Sequence, residues 1–351
     1  MSVDLTQIRL SILDRSRTRV GEDPSIALRE TVAFAREAQE LGYHRFWVSE
    51  HHSVPGVAGP APTVLAAAVA AATSRIRVGT GGVMLPNHRP LVVAEQFGVL
   101  EALYPGRIDM GLGRSVGFTG GVRQALGHGK DDADDFGGQV RELLGYFTGE
   151  QDLYPGVHAW PAEGLRVPAF ILATGAGADL AAELGLPLVI AAARGEDRMV
   201  EAIERYRTKF QGAEPYVIVS GTVAIADTTD EARRLLMPEA WSNAYARTHG
   251  EFPPLSPVQE ILALDMTDRE RRIFDQSMAG HVHGTEDEVT EQLERLIART
   301  GADEFLVHTS TYDRAARLES HRRLARLVAA PADVTIGPDQ HGAIGGQAIA
   351  V

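Results

Sequence analysis

Short apolar runs alternate along most of this chain with longer stretches whose apolar residues recur at helical spacing. Residues 8–13 form a first apolar run that ends in Asp14 and reads as a strand. Pro24 and Ser25 open a helix over 25–41, striped by Ile26, Leu28, Val32, Ala35 and Ala38, with Gly42 as its stop. Residues 43–49 read as a second strand. Strand side chains alternate, so Phe46 and Val48 share one face and Trp47 and Ser49 the other. A Gly- and Pro-rich loop leads to a helix over 62–72. Strand three falls over 75–80, a helix over 90–103, and strand four over 106–112, with Gly113 and Arg114 at its end.

The pattern loosens between residues 115 and 167. Glycines, Lys130 and an acidic cluster of Asp131, Asp132, Asp134 and Asp135 surround one helix over 136–147. The cluster reads as a solvated helix start, where carboxylates also suit the helix dipole. Alternation then resumes, with strands over 169–173, 187–191 and 216–225 and helices ending at Leu184, Phe210 and Arg247. Residues 248–284 interrupt it. Thr285 and Glu288 have capping-box spacing for a helix over 286–300, followed by strand eight over 305–308 and a last helix over 313–328. Eight strand–helix units predict an α/β fold: a (β/α)8 TIM barrel with insertions after strands 4 and 7. A single domain over 1–330 would precede a Gly- and Pro-rich tail over 331–351. A doubly wound open sheet is the alternative, weakened because no Gly-x-Gly-x-x-Gly follows strand one.

Composition narrows the chemistry. The chain has no cysteine, which removes disulfides, thiolate catalysis, iron–sulfur clusters and Cys-ligated zinc. Its net charge of −13 argues against a nucleic-acid partner. The two lysines, Lys130 and Lys209, end no expected strand, which disfavours Schiff-base chemistry. No apolar run is long enough to span a membrane and no signal-peptide pattern opens the chain, so a soluble cytoplasmic protein is expected.

In a parallel barrel the C-terminal strand ends share one mouth. That mouth would collect Asp14, Glu50, His51, His52, Gly81, Gly82, Arg114, Thr174, Gly175 and Ala176. The turn over 174–177 can present backbone N–H groups to a phosphate, and Arg114 can add a bidentate contact. Each feature has a plainer reading: a simple turn, a surface salt bridge, a tight Gly-Gly turn, one solvated and one core histidine. His51 and His52 are neighbours on an extended segment and point to opposite sides, so no metal site is expected.

Three segments then carry a resemblance: residues 41–52 (LGYHRFWVSEHH), 78–86 (VGTGGVMLP) and 105–114 (PGRIDMGLGR), supported by residues 283–285 (HGT) and 301–305 (GADEF). Together they resemble the luciferase-like, flavin-dependent monooxygenases, the superfamily of bacterial luciferase and alkanesulfonate monooxygenase. The resemblance implies a TIM barrel that binds reduced FMN at its C-terminal mouth. His51 matches the active-site histidine. Gly81 and Gly82 match a non-proline cis peptide packed against the isoalloxazine ring. Arg114 and the turn of Thr174, Gly175 and Ala176 match the phosphate-end contacts, although this turn departs from the usual Ser or Gly pair. Residues 248–284 fall where the family carries a mobile active-site loop.

The resemblance implies a mechanism in which FMN, reduced by NAD(P)H or by a separate flavin reductase, reacts with O2 to give a C4a-hydroperoxide. The oxygen then passes to an aldehyde, ketone, sulfonate or other small organic substrate, with His51 as acid or base. Other readings stay open: hydride transfer with the deazaflavin F420, a non-catalytic flavin-binding homologue, or a metal-dependent TIM-barrel hydrolase. The Ala-rich helix over 62–72 lies on the side through which the family commonly pairs, so a homodimer or larger assembly is expected.

Overall fold

Eight parallel strands close on themselves in the computed structural model, which describes residues 4–329 apart from 118 and 194. The strands are β1 (Arg9–Asp14), β2 (Arg45–Val48), β3 (Arg77–Thr80), β4 (Val83–Met84), β5 (Ile108–Gly113), β6 (Ala169–Ala173), β7 (Leu188–Ala191), β8 (Val217–Gly221), β9 (Val223–Ile225), β10 (Val282–Gly284) and β11 (Glu304–Val307). The barrel runs β3-β2-β1-β11-β8-β7-β6-β5, and pairing of β3 with β5 closes it. The short β4 pairs only with β5, while β9 and β10 form a small parallel sheet of their own. The tail over 331–351 lies outside the described residues.

The helices are α1 (Pro24–Glu40), α2 (Pro62–Ala72), α3 (Pro90–Leu103), α4 (Gly120–Leu126), α5 (Phe136–Thr148), α6 (Gly177–Glu183), α7 (Glu196–Lys209), α8 (Thr229–His249), α9 (Val258–Leu262), α10 (Asp268–Met278), α11 (Glu286–Thr300) and α12 (Arg314–Val328). Caps match local chemistry. Asp23 accepts the N–H of Ser25 with Pro24 at the first turn of α1, and Thr285 and Glu288 form the expected capping box on α11. Among the described residues no helix is long and apolar enough to cross a membrane.

Strand alternation sorts the barrel interior into layers. On β2, Phe46 and Val48 pack outward in the helix-facing core and Trp47 packs inward, the expected split. Arg45, two residues earlier, is inward at the base. Its Nη1 donates to Asp109 Oδ2 and its Nε to Glu304 Oε1, both at 2.8 Å. Arg77 Nη2 and Trp47 Nε1 also donate to Asp109. Above this polar base lies an apolar layer of Trp47, Phe170, Val189, Ile218 and Leu306. Such a filled interior is a packed core with no pore, and it leaves only the strand ends for a site.

Two expectations need correction. The seventh barrel strand ends at Gly221, and the expected run over 216–225 is broken at Thr222. Thr309 causes the break: its Oγ1 accepts the Val223 N–H and donates to Val223 O, turning residues 223–225 out to pair with β10. Residues 248–284 are also more regular than an interruption. They hold α9, α10 and β10, and Phe274, Met278 and Ile261 pack with α8 residues in a separate small core. After β5, α4 precedes the helix expected over 136–147.

Candidate active site

A cavity of ≈ 700 Å³ opens at the C-terminal ends of the barrel strands. Its floor is apolar, with Leu13, Leu172, Val189 and Leu306, the upper edge of the barrel core. The seven residues to which the resemblance gave a role line it: His51, Gly81, Gly82, Arg114, Thr174, Gly175 and Ala176. They arrive from four loops, which follow β2, β3, β5 and β6.

The peptide between Gly81 and Gly82 is cis. A Cβ on Gly81 would lie 2.7 Å from Leu13 Cδ1, and one on Gly82 would lie 2.7 Å from the Gly111 carbonyl oxygen. Any larger residue at either position would push into the core or into β5, so bare backbone faces the cavity here.

His51 is fixed from both ends. Its backbone N–H donates to Gly59 O at 3.1 Å, and its Nδ1 lies 3.1 Å from Ser49 Oγ. Burial, reinforced by the positive charges of Arg15 and Arg17, pushes its pKa down to about 4. The ring is therefore neutral at pH 7. An unperturbed imidazole would suit either proton role, but this one rests as a proton acceptor.

Glu50 lines the cavity edge but turns into the protein. Its Oε1 accepts from His52 Nε2 at 2.7 Å and from His88 Nε2 at 2.8 Å, while Oε2 accepts the Met84 N–H at 2.9 Å. Burial alone would raise its pKa. The hydrogen bond and charge of His88, with hydrogen bonds from His52 and the Met84 N–H, hold it below the usual carboxylate range. His52 thus points away from the side taken by His51, as extended neighbours do, but it meets a third histidine from another loop.

After β5, Arg114 Nε donates to Ala133 O at 2.8 Å and Nη2 to Asp134 Oδ1 at 2.9 Å. Lys130 and Asp134 also line the cavity. Gly175 has no atom within 4 Å of the position its Cβ would take, so the turn after β6 is open on that side. Asp14 does not reach the cavity. Leu13 takes the inward position on β1, and the next residue alternates outward, where Asp14 meets Arg317 Nη1 at 2.9 Å and Thr31. Sequence reading missed Lys130, Asp134, Ser49 and Met84 as lining residues. Two of them sit in the irregular segment after β5, where no periodicity locates a side chain.

A closed parallel barrel with a cavity at its C-terminal strand ends, the end at which such barrels carry their sites, defines a TIM-barrel protein. The luciferase-like monooxygenase family matches residues 7–304, and the chain belongs to that family. It is 36% identical over 321 residues to a luciferase-like monooxygenase of Escherichia coli K12, covering 89% of this chain and 95% of the relative. It is 33% identical over 337 residues to the N-acetyl-S-alkylcysteine monooxygenase of Bacillus subtilis, covering 92% and 99%. The crystal structure of apo-MsnO8 superposes with a TM-score of 0.80 at 32% identity, covering 92% of this chain and 98% of that one. The fold also extends to the FMN complex of the oxygenating constituent of 3,6-diketocamphane monooxygenase from Pseudomonas putida. That match has a TM-score of 0.71 at 20% identity and covers 92% and 98% of the two chains. An F420-dependent secondary alcohol dehydrogenase matches with a TM-score of 0.67 at 15% identity, covering 92% and 99%.

Proposed function

We propose that this chain is an FMN-dependent monooxygenase that uses O2 to oxygenate a small organic substrate. One observation carries the reading. His51, the Gly81–Gly82 backbone, Arg114 and the turn of Thr174, Gly175 and Ala176 surround one cavity, although they are up to 125 residues apart in sequence. The cavity suits a flavin: bare glycine backbone and an apolar floor for a flat ring, and cationic Arg114 and Lys130 beside an open turn for a phosphate. Reduced FMN supplies the oxygen-activating chemistry when bound. The protein's share is to hold the ring over Gly81 and Gly82, exclude water above the Leu13–Leu306 floor, and accept a proton at His51. NAD(P)H enters indirectly, through a separate flavin reductase or through reduction in place.

The name of the Bacillus subtilis relative makes an N-acetylated S-alkyl cysteine the first substrate to try. The test is flavin titration of the purified protein, followed by reductase-coupled turnover under ¹⁸O2 with thioethers, aldehydes and ketones. One ¹⁸O atom in the product is the expected result. Tight F420 binding without FMN binding would replace this reading with hydride transfer. The assembly is proposed to be a homodimer through α2 and α3. Val64 on α2 is 70% exposed, and on α3 Leu103 is 62%, Val99 47% and Val92 45% exposed, apolar side chains that a second copy could cover.

A further inference from the structure

Glu50, His52 and His88 bring three ligand atoms within 4.8 Å of one another. We propose that they form a binding site for one first-row divalent cation of the zinc class. Two imidazoles and one carboxylate are a donor set that suits Zn²⁺, Co²⁺, Ni²⁺ or Fe²⁺ and leaves coordination positions open for water. Both imidazoles offer the same atom, Nε2, and both aim it at the same oxygen, Glu50 Oε1. The carboxylate is already oriented, because Oε2 accepts the Met84 N–H. That is the supporting contact a metal-ligating carboxylate needs. The Glu50 side chain is fully buried, whereas those of His52 and His88 are 18% and 29% exposed, so an ion and its waters can reach the site.

The present geometry is a pair of hydrogen bonds to one oxygen. To take an ion, the three donor atoms spread from 2.7–2.8 Å to roughly 3 Å, the separation of ligands about 2.0 Å from a common zinc, and the Nε2 hydrogens shift to Nδ1. Both histidines sit in loops with their side chains partly open to solvent, which leaves room for that movement. His52 follows β2 and His88 follows β3, so the ion would clamp together the loops that carry His51 and the Gly81–Gly82 peptide.

The test uses chelator-treated, flavin-free full-length protein, so its outcome is separate from the flavin reading. Titration with Co²⁺ should give one visible-absorbing ion per chain, and Zn²⁺ should raise the unfolding temperature reversibly. His52→Ala and His88→Ala should each weaken binding by about tenfold or more, since even the supporting partners of a ligand carry that much affinity. His158→Ala, at an exposed histidine elsewhere, should change nothing. Absence of binding, or binding undiminished in both site variants, overturns the proposal and leaves a hydrogen-bonded cluster. If either site variant fails to fold, ¹⁵N-histidine spectra of the wild type decide. Co²⁺ broadening confined to two imidazoles that share one ion supports the site, and broadening spread evenly over the exposed histidines overturns it.

Discussion

Arg114 donates to Asp134 at 2.9 Å across the open side of the cavity, and the two side chains are 58% and 75% exposed. An ion pair this exposed contributes little to stability, so the guanidinium is free to turn toward a bound phosphate. Arg114→Ala should weaken FMN binding by about 2–3 kcal/mol, the size of a charge-assisted hydrogen bond. Asp134→Asn should change it by less than about threefold. Fluorescence titration measures both. Normal FMN affinity in Arg114→Ala would move the phosphate to Lys130 and the turn over 174–176.

His51 and Arg114 reach the cavity from different loops, after β2 and β5, and have separable jobs. His51→Ala should leave FMN binding within about tenfold but lower turnover by about two decades, the size of a lost acid–base group. Single-turnover oxidation at saturating flavin is the measurement. Unchanged turnover would make His51 a wall of the pocket only.

Two histidines far from the metal-type cluster should make the fold acid-sensitive. Burial, and after it the charge of Arg15, pushes His308 down to about 4, and burial with the charge of Arg317 pushes His321 down to about 3. In the unfolded chain both titrate near about 6.5. Between these values the unfolded state binds protons that the folded state does not, so stability rises with pH through this window and is lost as pH falls below about 6.5. Each can contribute up to about 1.4 kcal/mol per pH unit. Urea midpoints at pH 7, 6 and 5 should fall in that order, and less steeply in His321→Gln. Equal midpoints would show that neither group is held neutral.

Asp109 at the barrel base accepts from Arg45, Arg77 and Trp47 with no exposure of its side chain. Removing it takes from the buried Arg45 one of its two carboxylate partners and leaves Glu304, so Asp109→Ala should cost about 3 kcal/mol in chemical unfolding. A cost under about 1 kcal/mol for Asp109→Ala would mean that water enters the base.

The exposed apolar residues on α2 and α3 give the assembly test. Val64→Asp with Leu103→Glu should shift the mass seen by light scattering from two chains to one. A wild type that already scatters as one chain at micromolar concentration removes the proposed interface.

Much of this molecule was legible in its sequence, because its elements are set by local periodicity. The strand pattern, the capped helices and the four loop segments that line the cavity all follow from residues read within a few positions of one another. Chain alternation even assigned Phe46, Trp47 and Val48 to their correct faces. The resemblance then attached roles to His51, Gly81, Gly82 and Arg114 that periodicity alone left open. What the sequence could not give are the relationships made across the barrel. Arg45 meets Glu304, 259 residues away, only because β2 and β11 flank β1. Thr309 breaks the seventh strand through a contact 86 residues distant. His88 reaches Glu50 only because the segments that follow β2 and β3 lie side by side, a neighbour of which the opposite facing of His51 and His52 along the chain gave no sign. Periodicity fixes which face a side chain takes. Barrel closure, which pairs strands far apart in sequence and staggers them by register, decides which side chains from other strands it meets there.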